Sequence, residues 1–103
     1  MAKKTDIKII VQEFVEQLSK VIHIKAVYLF GSYANGKQNE YSDIDIAIIS
    51  KDFSGFRYDD RQKINPVVLH TNINIETHPI TIKEFNSKNP FIKEILRTGK
   101  RIV

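Results

Sequence analysis

Two aspartates stand two residues apart in the segment Ser42-Asp43-Ile44-Asp45-Ile46. On an extended chain their carboxylates share one face, with Ile44, Ile46 and Ile48 on the other. Like charges held side by side repel by roughly a few kcal/mol at an effective dielectric of about 20. Both must therefore lie in water, or a cation must neutralise them. Aspartate is a poor strand former, and the apolar run Ile46-Ala47-Ile48-Ile49 follows at once, which argues against a merely solvated strand edge. The chain has no cysteine and no clustered histidines, so hard oxygen ligands point to Mg2+ or Mn2+ rather than zinc. Glu76 adds a third carboxylate on the polar face of the alternating stretch Ile73–Ile80. Upstream, Gly31-Ser32 ends an apolar run. Glycine lets backbone approach a ligand, the N–H groups opening a turn can cradle an anion, and serine adds a hydroxyl. Three carboxylates beside a phosphate cradle are what two-metal phosphoryl transfer requires.

The elements that must position these residues follow from periodicity. From Asp6 to Ile22 the apolar residues Ile7, Ile10, Val11, Phe14, Val15, Leu18, Val21 and Ile22 recur at three- and four-residue spacing. That spacing predicts an amphipathic helix, with Thr5 or Asp6 available as N-cap. Lys25–Phe30 is short, β-branched and aromatic, and reads as a buried strand stopped by Gly31. Ser42–Ser50 alternates and then turns wholly apolar, which predicts a second strand buried on both faces in its C-terminal half. Tyr58–His70 is weakly helical, with Pro66 inside it. Ile73–Ile80 is a third strand. Asn89-Pro90 and Gly99 bracket a short helix, Pro90–Thr98, by their preferences for helix starts and stops. Arg101–Val103 is a candidate edge strand. The expected fold is α/β (α+β), a small mixed sheet flanked by helices, in one domain over residues 1–103. No repeat or linker divides it.

The chain carries 16 Lys and Arg against 12 Asp and Glu, for a formal net charge of +4. The cations are scattered, with the densest pairs Lys3-Lys4 and Lys100-Arg101 at the two ends. No basic stripe is interleaved with aromatics, so direct nucleic-acid binding is not expected. The bias suits an ordinary surface or a triphosphate ligand. The absence of cysteine excludes a disulfide framework, a thiolate zinc site and a cysteine nucleophile. Apolar runs fall far short of the ~20 residues of a membrane span, and the N-terminus is not a signal-peptide core, so a cytoplasmic location is expected.

Gly31-Ser32, ten intervening residues and Asp43-x-Asp45 resemble the signature of the DNA-polymerase-beta-like nucleotidyltransferase superfamily. The longer string Phe30-Gly31-Ser32-Tyr33-Ala34-Asn35-Gly36, followed by Ser42-Asp43-Ile44-Asp45, resembles its minimal branch. So does the ending Asn89-Pro90-Phe91-Ile92-Lys93-Glu94-Ile95-Leu96 with Gly99-Lys100. The resemblance implies the nucleotidyltransferase fold. It implies that Gly31 and Ser32 bind the triphosphate and that Asp43 and Asp45 ligate Mg2+ (or Mn2+), with Asp45 also near the acceptor hydroxyl. The family's third carboxylate sits on a later central strand. Glu76 is the acidic residue placed for it, as metal ligand or general base, although aspartate is common there. Gly36 shapes the turn.

Larger relatives carry extra domains that bind the acceptor, so a partner protein is expected to supply it here. Minimal transferases of this kind resemble antitoxins that move AMP from ATP onto a tyrosine of a small helical HEPN-type ribonuclease. Two other functions compete. One is a non-catalytic partner-binding module. The other is a transferase for a small molecule such as an aminoglycoside, its acceptor pocket completed by homo-oligomerisation. Among the remaining residues, Tyr33 reads as packing on the sheet and His78 as a partly exposed strand residue. His23 falls in a helix–strand connection, and His70 and His78 would pair only if the fold brought them together. Tyr58–Arg61 is a polar cluster suited to a loop or helix start.

Overall fold

The computed structural model describes residues 4–36, 43–71, 74–86 and 88–103. Helix α1 (Lys4–Leu18) leads into strand β1 (Ala26–Phe30), the one-turn helix α2 (Ser32–Asn35) and strand β2 (Ile44–Ser50). Helix α3 (Arg57–Thr71), strand β3 (Ile75–Thr81), helix α4 (Pro90–Thr98) and the two-residue strand β4 (Lys100–Arg101) complete the order. The four strands form one mixed sheet in the order β3-β2-β1-β4. β1 runs antiparallel to both of its neighbours, and β2 and β3 are parallel, as a crossover through α3 requires.

Each face of the sheet has its own core. Val27, Leu29, Ile44, Ile46, Ile48 and Ile75 face one way and pack with Ile7, Val11, Phe14 and Leu18 of α1 and Ile64 and Val67 of α3. Ala26, Tyr28, Ala47, Ile49 and Ile80 face the other way, where Ile92 and Ile95 of α4 cover them. β2 is the central buried strand, with every residue from Ile46 to Ser50 buried, as its apolar second half predicts.

Several expected boundaries move. α1 begins at Lys4, so Thr5 and Asp6 fall within its first turn and not at the cap. It stops at Leu18 and not at Ile22. Tightened bonds from Lys20 N–H to Gln17 O and from Val21 N–H to Leu18 O end it, and the Ser19 hydroxyl donates to Glu16 O. Val21 is consequently exposed, while Ile22 still reaches the core. Ser42 and Ile73, expected at strand starts, lie outside the described residues. β4 is Lys100–Arg101, and Ile102 N–H still donates to Val27 O.

α3 runs unbroken through Pro66. A proline inside a helix costs about 3 kcal/mol in lost bonding and ring clash. Burial of Ile64 and Val67 offsets that cost, and so does an anchor at the start of the helix. The buried Asp60 carboxylate accepts from Ser54 N–H (2.7 Å), Ser54 Oγ (3.0 Å) and Gly55 N–H (2.9 Å), fixing the entering loop. α4 matches its expected span. The Asn89 side chain accepts from Phe91 N–H and Ile92 N–H at its start, and Gly99 N–H donates to Ile95 O at its end.

Candidate active site

The parallel pairing of β2 with β3 decides the geometry. Asp45 lies directly beside Glu76, and Ala47 beside His78. Across the antiparallel pair, Phe30 faces Asp45. Residues in register share a face, so Phe30, Asp45 and Glu76 form one row of side chains, and Tyr28, Ala47 and His78 form the next. These rows lie on the face that α4 only partly covers. Asp45 and His78 are about three-quarters or more buried, their side chains 25% and 17% exposed, whereas Glu76 is exposed.

Gly31 closes one side. Its φ of +74° is the left-handed region that suits glycine, and a Cβ there would collide with Asp45 Oδ2. The bend after β1 therefore passes directly against the aspartate carboxylate. Ser32 opens α2 at that point, and Ala34 N–H donates to Gly31 O at 3.1 Å. The backbone turn predicted after Gly31 is thus present and sits on the acidic row.

His78 is the residue that sequence reasoning undervalued. Its Nε2 lies 3.3 Å from Asp45 Oδ1. One ligand atom from each of Asp45, Glu76 and His78 falls within 4.8 Å of the other two, a group able to hold a metal ion. The imidazole is also wedged between aromatic rings, 4.9 Å from Phe30 edge-on and 6.0 Å from Phe91 of α4. The signal was in the sequence: Glu76-x-His78 on an alternating strand puts both side chains on one face. His70, at the end of α3, is exposed and is not in this group.

Of the expected residues, the fold brings together Gly31, Asp45 and Glu76. Asp43 is exposed just before β2 and is not among the three clustered groups. Among the described residues β3 is an edge strand and not a central one, with β2 as its one neighbour. Glu76 therefore has a strand on one side only, which leaves it open to solvent. Tyr33 packs against the core beneath α1, as expected. It also lines a cleft of about 380 Å³ with Ile7, Val11, Leu29 and Lys100. That cleft lies on the opposite face from the carboxylates and contains none of them, so the open acidic row, and not this cleft, is the candidate site. His23 sits in the α1–β1 connection and holds Asp52. Asp52 Oδ2 accepts from His23 N–H at 2.7 Å and contacts its Nδ1 at 3.0 Å. These bonds pull the Asp52 carboxyl below its ordinary value of 3.8.

A model of the family described as polymerase beta, nucleotidyltransferase matches residues 6–103. The chain belongs to that family. It is 32% identical to a Methanocaldococcus jannaschii protein provisionally named protein adenylyltransferase MJ0141, over 90% of this chain and 95% of the relative. It is 36% identical to a second from the same organism, MJ1305, over 76% of this chain, and spans 56% of that relative's length. Among solved structures, a provisionally named nucleotidyltransferase from Sulfolobus solfataricus aligns with a TM-score of 0.71 at 20% identity, covering 95% of this chain and 80% of the other. A toxin-antitoxin structure with AMP-PNP aligns at 0.60 and 25% identity, covering 87% of this chain and 69% of that one. The expected α/β nucleotidyltransferase fold is the fold observed.

Proposed function

We propose that this nucleotidyltransferase moves AMP from ATP to a hydroxyl on a partner protein, acting as the antitoxin of a pair whose toxin is a small helical HEPN-type protein. The observation that carries the reading is the adjacency of Asp45 and Glu76 in register, with the Gly31 bend packed against Asp45. The relatives' names and the nucleotide-bearing toxin-antitoxin neighbour support the choice of ATP and of a protein acceptor.

In this reading the backbone at Gly31 and Ser32 holds the triphosphate, its N–H groups facing phosphate oxygens. Asp43, Asp45 and Glu76 hold Mg2+ or Mn2+. When bound, the ion neutralises charge on the phosphates and lowers the pKa of an oxygen it touches. The acceptor oxygen attacks the α-phosphorus, the bond from that phosphorus to the bridging oxygen of the β-phosphate breaks, and pyrophosphate leaves. Glu76, exposed and beside Asp45, takes the hydroxyl proton. Asp45, fixed by β2 and by Gly31, aligns the acceptor with the phosphorus.

Transfer of label from α-32P-ATP tests this, with divalent metal and with co-purified partner. Label is expected on the partner and should vanish with chelator and in the Asp43→Asn/Asp45→Asn variant. An unlabelled partner with all four nucleotides, bound equally well by that variant, would leave a module that acts by contact alone. Label on a small molecule such as an aminoglycoside, and not on protein, would reassign the acceptor.

A further inference from the structure

We propose that His78 is a nitrogen ligand of the site's metal ion, and that it shifts the site's preference from Mg2+ to Mn2+. The inference rests on the metal-binding reading above but not on the identity of nucleotide or acceptor.

A site made of carboxylates alone suits Mg2+, which favours oxygen and dehydrates reluctantly. Mg2+ holds nitrogen ligands poorly, whereas Mn2+, a first-row transition ion, accepts imidazole beside carboxylates, so one nitrogen among oxygens favours Mn2+ over Mg2+. The geometry places that nitrogen among the acids. Asp45 Oδ1 and His78 Nε2 are 3.3 Å apart. Two ligands at ~2.1 Å from one ion stand about 3.0 Å apart at a right angle and about 3.4 Å at the tetrahedral angle. The observed spacing falls in that interval, and it is long for a strong N–H···O bond. The three ligand atoms all lie within 4.8 Å of one another, and opposed ligands of one ion stand about 4.2 Å apart, so Glu76 needs at most a small adjustment to join them. As an exposed side chain it is free to do so.

The imidazole is also preorganised. Phe30 meets it edge-on at 4.9 Å, Phe91 tilts against it at 6.0 Å, and those two rings meet each other at 5.6 Å. A ligand held by packing loses little freedom when a metal arrives. The aromatic walls have a further role in this view: they aim Nε2 toward the carboxylates.

The deciding experiment is pulsed EPR on the intact chain loaded with Mn2+, without nucleotide. Protein labelled with 15N only at histidine is compared with unlabelled protein, alongside Mn2+ and Mg2+ titrations of the wild type, His78→Gln and Asp45→Asn. Expected are a directly coordinated histidine nitrogen in the wild type and its loss in His78→Gln. Mn2+ should bind His78→Gln at least about tenfold more weakly, with Mg2+ affinity changed less than about threefold. Bound Mn2+ with no histidine coupling, or an unchanged Mn2+ to Mg2+ preference in His78→Gln, overturns the proposal. If His78→Gln does not fold, the isotope comparison on a His23→Gln/His70→Gln chain, whose one remaining histidine is His78, decides in its place. Failure of the wild type to bind Mn2+ at all would remove the metal reading along with it. Histidine-coordinated Mn2+ without label transfer would leave this inference standing and sink the transferase reading.

Discussion

The two faces of the sheet are built from the same strands and put to different ends. On one, two helices of 15 residues each lie over an unbroken apolar floor, with Phe14, Leu18, Ile46, Ile48 and Ile64 wholly buried. On the other, a single nine-residue helix covers Ala26, Tyr28, Ile49 and Ile80 and leaves the row Phe30–Asp45–Glu76 open at one end. The alternation along β2 makes this division possible. Ile44, Ile46 and Ile48 anchor the strand from below, so the carboxylate of Asp45 is held from above at a fixed position. The closed face carries the larger apolar core, and the open face carries the carboxylates.

If the division is real, damage to each face should read out differently. The largest effect belongs to Phe14→Ala, which empties the closed face. Urea unfolding should show a loss of about 3–5 kcal/mol, while label transfer per folded molecule stays near wild type. A comparable loss of transfer would mean that the two faces are coupled. Gly31→Ala strikes the open face. Its Cβ meets the Asp45 carboxylate, so transfer should fall about 10²-fold. Stability should drop by only about 1–2 kcal/mol, from the left-handed backbone.

Asp60→Ala sharpens the contrast from the side of the closed face. It strips three bonds from the loop that starts α3 and should cost about 1–3 kcal/mol in unfolding experiments. Mn2+ affinity should not change. The smallest effect is at Asp52. Its carboxyl is depressed in the folded chain by the His23 N–H and imidazole, so its stabilisation is present above the ordinary aspartate range. It is lost as pH falls through the lower folded value. Asp52→Asn should therefore lie slightly below wild type in urea midpoint at neutral pH and converge with it in acid, with transfer unaffected throughout.

What could be read from the chain in advance follows the same line between local and non-local causes. α4 was legible end to end, because Asn89, Pro90 and Gly99 act within a few residues of themselves. α3 was legible only as a weak helix over Tyr58–His70, because its support comes from Asp60 reaching back to Ser54 and from Ile64 and Val67 packing on other elements. α1 ran four residues short of its apolar pattern, since the turn bonds after Leu18 compete locally while Ile22 is buried from the loop. At the site, the placement of Asp45 on the face opposite Ile44, Ile46 and Ile48 was visible from alternation alone. The adjacency of Asp45 and Glu76 depends on a parallel pairing across all of α3, which no local pattern encodes. The same pairing brings His78 to Asp45, so its part emerged only with the register.

The outermost strands carry a consequence for how this protein meets others. β3 ends one side of the sheet and contains Pro79, a residue with no N–H to offer a neighbour. β4 ends the other side with two exposed residues, Lys100 and Arg101. Short, charged and proline-bearing rims are poor templates for adding a foreign strand. Aggregation through edge pairing is thereby discouraged on both flanks. A companion chain should engage helix surfaces or side-chain faces, so recognition would be written in side chains and not in shared backbone ladders.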